Sequence, residues 1–220
     1  MRHERTRAAM RFALGLGLAL LAAVPGAAQE AAPAMRADFG AERASGGARR
    51  LAHWVVTSGD AQGMPFLIVD KVDARVFAFD PIGRLRGASP ALLGLATGDR
   101  AAPDIGARRL ADIAPADRIT PAGRFQASLG RNLAGKDILW LDYAAAISLH
   151  RVVTGTVREK RLQRLATPSR DDNRVSYGCI NVPVAFYEGA VLPLFTATSG
   201  MVYVMPDTLP LDAVFRIDGS

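Results

Sequence analysis

Cys179 is the one cysteine in a chain of 220 residues, and it stands in Ser176-Tyr177-Gly178-Cys179-Ile180-Asn181. A single thiol forms no internal disulfide, which leaves two roles: a small buried apolar residue or a reactive group. To act as a nucleophile it must ionise, and an ordinary thiol pKa of roughly 8.5 calls for a nearby base or positive potential. An imidazole meets that need. There are three histidines: His3 lies at the extreme N-terminus, His53 sits in Leu51-Ala52-His53-Trp54 without a partner motif, and His150 ends an apolar run. His150 is therefore the candidate base, the competing reading being a strand-end histidine satisfied by backbone. Gly178, with no Cβ, lets a substrate carbonyl come close, so that N–H groups around Tyr177, Gly178 and Cys179 face the developing oxyanion. Ser176 and Asn181 are expected to brace the loop by side-chain hydrogen bonds, with a substrate contact by Asn181 as the alternative. One cysteine and two histidines beyond the N-terminal segment are too few soft ligands for a typical zinc site. No metal or cofactor is expected.

These residues need strands and turns to bring them together. Pro65 to Lys71 and Arg75 to Asp80 are β-rich runs around a short connection, a predicted hairpin, and Arg84 to Gly94 continues as a third strand. Leu95 to Ile119 carries Gly98, Pro103, Gly106 and Pro115 and reads as loop with one helical turn. Gly123 to Leu129 and Asp137 to Leu149 read as strands, the second leading into His150. Val157 to Ala166 has Leu162, Leu165 and Ala166 at helical spacing opposite Arg158, Arg161 and Arg164. A further helix is predicted from Pro183, with Val184, Tyr187, Val191 and Phe195 on its apolar face. Met201 to Met205 returns as a strand, and Ala213 to Ile217 reads as one more. The expected class is mostly β with short helices, α+β.

The N-terminus has a different composition. Arg2, Arg5, Arg7 and Arg11 precede an uncharged run from Phe12 to Val24, followed by Pro25-Gly26-Ala27-Ala28. The pattern is that of a secretory signal peptide over 1–28, since the apolar run is shorter than the roughly 20 residues a spanning helix needs. Export to the periplasm or cell envelope follows, with no stable membrane span after processing. Residues 29–50 read as a flexible leader and 51–220 as a single catalytic domain. The net charge of +6 falls to +3 once four arginines and one glutamate leave with the signal segment. Arginines spread along the chain without a basic stripe give no footprint for nucleic acid. Oligomeric state has no signature in the sequence.

The Ser-x-Gly-Cys-Ile-Asn motif with an upstream histidine resembles the signature of the L,D-transpeptidase family, the YkuD-type catalytic domain. Thr120-Pro121-Ala122-Gly123-Arg124-Phe125 is similar to a second segment of that family, and the resemblance spans roughly 65–206. It implies a mixed β-sandwich of the L,D-transpeptidase catalytic type, Cys179 as nucleophile, His150 as base, and the backbone carbonyl of Arg151 as the group that orients the imidazole. The implied activity is a cysteine acyltransferase working on peptidoglycan stem peptides through a thioester. An L,D-carboxypeptidase or cell-wall amidase using the same pair is the alternative, and a non-catalytic wall-binding module with Cys179 merely buried is a further one. Two departures mark this chain. Tyr177 stands where the family commonly has histidine, and the 25 residues between His150 and Ser176 form a longer connection rich in arginine. Those arginines are expected to be a solvated helix face or, alternatively, a rim that attracts substrate carboxylates.

Overall fold

The computed structural model describes Arg36–Ile217. Ten strands carry it: β1 (Phe66–Asp70), β2 (Arg75–Phe79), β3 (Leu85–Pro90), β4 (Leu93–Gly94), β5 (Gly123–Arg131), β6 (Asp137–Asp142), β7 (Ile147–Arg151), β8 (Arg174–Ser176), β9 (Ile180–Val182) and β10 (Gly200–Val204). Eight of them form one mixed sheet in the order β3-β2-β1-β10-β5-β6-β7-β9, and β4 with β8 makes a two-stranded ribbon. β5 is the corner. Its first half, Gly123 to Ala127, pairs with β10, and its second, Ser128 to Arg131, pairs with β6. Side chains from both halves of the sheet meet in one core, Leu67, Val69, Val76 and Val202 from one and Leu139, Leu149, Ile180 and Val182 from the other. The strand-rich expectation is met, and the faces turn toward one another as in a sandwich.

Both faces of β1, β2 and β10 are covered, which is why they read as unbroken apolar runs. Phe66, Ile68, Phe77, Phe79, Met201 and Tyr203 point to a second core, closed by α1 (Gly46–Ser58) through Leu51, Ala52 and Val55 and by α5 (Leu211–Phe215) through Phe215. The first core is lidded by α3 (Val184–Phe186), which widens into a π-turn over Tyr187–Val191 and continues as α4 (Leu192–Phe195). Pro193 has no N–H to give to Gly189, a local cause for the widened turn.

Four sequence expectations change here. The run from Asp137 to Leu149 is two antiparallel strands, β6 and β7, joined by a turn over 143–146. The boundary drawn at residue 50 falls inside α1: Ala37 and Phe39 are already buried, and Ser45 caps the helix by accepting from Ala48 N–H. Its Gly-Gly-Ala-Arg-Arg opening hides a helix that the cap and the i, i+4 pair Leu51 and Val55 establish. The last apolar run forms α5 rather than a strand, Leu211 and Phe215 lying one turn apart. The arginine-rich helix shrinks to α2 (Arg161–Ala166), preceded by a 3-10 turn at Val157–Glu159. The signal peptide and the first residues of the leader lie outside the described residues.

A buried ionic cluster joins the sheet to the long loop after β4. Lys71, wholly buried, donates to the Gly98 carbonyl at 2.6 Å, Asp99 at 2.9 Å and the Thr120 carbonyl at 2.9 Å, and lies 3.2 Å from Asp207. Burial alone works to raise the Asp99 pKa, but hydrogen bonds from the Thr208 hydroxyl, from the Asp207 and Thr208 amides and from Lys71 outweigh it and hold the carboxyl far below its ordinary value. Folding thus favours ionised Asp99. Its contribution is complete above the unfolded carboxylate value and is lost as pH falls from there toward the depressed folded one. Lys71→Ala, which leaves buried Asp99 without its cationic partner while Asp207 keeps Arg174, is expected to cost about 3–5 kcal/mol, read by urea unfolding at neutral pH.

Candidate active site

The parallel pairing of β7 with β9 assembles the site. Leu149 lies opposite Ile180 and His150 opposite Asn181, so the residue just before β9, Cys179, sits beside the strand that carries the histidine. Ser148 and His150 are two apart and share one face of β7. Both line the same groove as Cys179. The Ser148 hydroxyl donates to Cys179 Sγ at 3.6 Å and Sγ lies 3.5 Å from the Ala146 carbonyl, while the His150 imidazole acts on the ionisation of the thiol. His150 Nδ1 is 2.7 Å from the Arg151 carbonyl. A carbonyl only accepts, so Nδ1 carries the proton and Nε2 is left for the sulfur.

Burial favours the neutral thiol and works to raise its pKa; the His150 hydrogen bond and charge, with the hydrogen bonds from Ser148, reverse this and bring Cys179 below its ordinary value. For His150, burial works to lower the pKa, while the bond and charge of Cys179 and the Arg151 carbonyl raise it to a net value above the ordinary one. The two shifts are two halves of one effect. The arrangement favours a thiolate beside an imidazolium.

The loop around the thiol is held from below. Ser176 Oγ accepts from Gly178 N–H at 3.1 Å and donates to the Cys179 carbonyl at 2.7 Å, and Asn181 Nδ2 donates to that same carbonyl at 3.1 Å. Gly178 differs in its reason. Its φ is +130°, and a Cβ there would lie 2.8 Å from the Ile119 carbonyl oxygen and 3.0 Å from Ile147 Cδ1. The glycine makes room for the protein's own chain, and its N–H is already taken by Ser176. The N–H groups of Tyr177 and Cys179 make no hydrogen bond to any described residue. The Tyr177 ring lies under the Arg118 guanidinium, 4.1 Å away, a cation–π contact of a kind that stiffens loops.

Cys179 is half-buried and lines two cavities. On the His150 side is an open, apolar groove of about 620 Å³ walled by Leu133, Ile138, Trp140 and Val153. On the Tyr177 side is a narrower pocket of about 180 Å³ bounded by Ile105, Leu110 and Ile113. Cys179 thus borders two cavities rather than the interior of either core. His53 serves elsewhere in the fold, on α1, where its Nδ1 accepts from Ala37 N–H at 3.1 Å.

Neither a solvated face nor a free rim describes most of the arginines after β7. Arg161 is nearly buried, paired with Glu159 at 2.8 Å and donating to Asn181 Oδ1 at 3.1 Å. Arg164 bonds the carbonyls of Glu159 and Asp172, Arg170 pairs with Asp73 and Arg174 with Asp207. They tie the long connection down. Arg151 itself is clamped between Asp137 and Glu188, which steadies the carbonyl that orients His150. Ser148, Thr120 and Arg118 do not stand out in the sequence as site residues; only the place of Thr120 in a motif segment marks any of them.

No family model and no curated protein matches the chain. Among solved structures, it is similar to the L,D-transpeptidase LdtMt1 in complex with imipenem, with TM-score 0.37 and 16% identity over 64% of this chain and 58% of that one. It is also similar to an L,D-transpeptidase from Xylanimonas cellulosilytica, with TM-score 0.35 and 14% identity over 64% of this chain and 60% of that one. The chain therefore spans less than two thirds of the length of these solved structures.

Proposed function

We propose that the chain is an exported cysteine acyltransferase of the L,D-transpeptidase type, acting on peptidoglycan stem peptides. The observation that carries this reading is the meeting of His150 and Cys179 in one groove, with His150 Nδ1 held at 2.7 Å by the Arg151 carbonyl so that Nε2 is left for the thiol. The Cys179 thiolate attacks the carbonyl of the donor peptide bond, and the oxyanion faces the free N–H groups of Tyr177 and Cys179. His150 then gives its Nε2 proton to the departing amine as the C–N bond breaks, leaving a thioester on Sγ. An acceptor amine attacks that thioester and loses a proton to Nε2, and collapse returns the product amide and the thiolate.

Two cavities meeting at one sulfur support transfer, because a donor and an acceptor need separate approaches to the same carbonyl. Hydrolysis differs only in that water takes the acceptor's place. Product analysis on purified muropeptides tests this: cross-linked dimers support transfer, and shortened monomers alone assign a hydrolase. Unchanged muropeptides, from protein whose thiol still reacts with iodoacetamide, would remove the wall substrate.

A further inference from the structure

We propose that Thr120 is a positioning residue for the oxyanion donor of Cys179, an inference that rests on the acyl-transfer reading above. The hydroxyl of this wholly buried residue is used twice: Oγ1 accepts from Gly94 N–H at 2.8 Å and donates to the Gly178 carbonyl at 2.8 Å. The Gly178 carbonyl and the Cys179 N–H belong to one planar peptide group and point in opposite directions. A hydrogen bond that pins the carbonyl on the Thr120 side therefore aims the N–H at the other side. That N–H has no partner among the described residues, as a group kept for a developing oxyanion requires. The bond also polarises the peptide, which strengthens the N–H as a donor.

Thr120 is itself held from two directions. Its carbonyl accepts from buried Lys71, whose ammonium is fixed by Gly98, Asp99 and Asp207. Its chain passes so close to two glycines that a Cβ on Gly94 would meet the Thr120 nitrogen at 2.7 Å and one on Gly178 would meet the Ile119 oxygen at 2.8 Å. Buried charge, loop 118–120 and catalytic turn form one rigid stack. Serine at this position keeps the hydroxyl and loses a methyl group; valine keeps the shape and loses the hydroxyl, leaving the Gly94 N–H and the Gly178 carbonyl unpaired.

The test separates two reactions of the same thiol in the full chain. Alkylation by iodoacetamide displaces iodide at a saturated carbon and builds no oxyanion, whereas acylation by a carbapenem opens a strained amide through a tetrahedral one. For Thr120→Val, acylation followed by intact mass is expected to slow by at least about tenfold, with the pH profile of alkylation within about twofold of the parent. Thr120→Ser is expected to recover most of the acylation rate. Thr120→Ala carries the same expectation as valine should the valine protein not fold. Acylation that is unchanged in Val and Ala overturns the proposal. So does a parallel loss of both reactions that serine does not rescue, which would be a structural effect. A parent protein that alkylates but never acylates fails at the acyl-transfer reading itself, and the proposal falls with it.

Discussion

Cys179→Ala is expected to lower turnover by roughly 10⁴-fold or more while leaving the unfolding transition close to that of the parent. No other residue of the chain carries a thiol, and removing a nucleophile takes away the covalent route as a whole. The fold has little to lose. Cys179 is half-buried at the meeting of two cavities, its sulfur contacts are long ones to Ser148 and Ala146, and its carbonyl and its neighbour's N–H are held by Ser176 and Asn181 rather than by the side chain. Muropeptide turnover and thermal unfolding measured on the same preparation check both halves. Normal turnover by a folded Cys179→Ala protein would end the thioester mechanism.

His150→Ala is expected to reduce turnover by about 10²–10⁴-fold, the range for a general acid–base group. It has a second signature. In the parent, the thiol lies below its ordinary pKa because His150, with help from Ser148, outweighs the effect of burial, so alkylation should set in at lower pH than for a free thiol. Without the imidazole, burial acts unopposed by its largest counterweight, and alkylation should begin only as pH enters the free-thiol range of roughly 8–9. The contribution of Ser148 remains in that variant and limits the upward move. An alkylation profile identical to the parent's would dismiss His150 as the partner.

Cys179 and His150 are the candidates that the sequence singles out, because both are rare residue types in a short motif context. A single cysteine behind glycine and a histidine at the end of an apolar run leave few combinations to consider. The supporting residues are not legible, for a geometric reason. Thr120 reaches the Gly178 carbonyl across 58 residues and Ser148 reaches Cys179 across 31, contacts that exist only once β7 lies beside β9 and the loop before β5 crosses beneath the turn. The arginines of the long connection mislead for a related reason: a charge without local partners looks solvated, yet Arg170 finds Asp73 and Arg174 finds Asp207, 97 and 33 residues away. α1 resembles leader because its capping residue, Ser45, stands in a stretch of glycine, alanine and arginine with few apolar side chains. The strands are plainer, since β1, β2 and β10 are buried on both faces and their apolar runs have no other reading.

The account rests on a thiolate held by an imidazolium, and titrating the ionisation of Cys179 in the folded protein tests it most directly. Thiolate ultraviolet absorbance, with Cys179→Ala as the blank, reports that ionisation without any substrate. The expected midpoint lies below the ordinary free-thiol range, and in His150→Ala it rises. A parent midpoint within or above that range, in protein shown to be folded, would contradict the Cys179–His150 pair and with it the proposed chemistry.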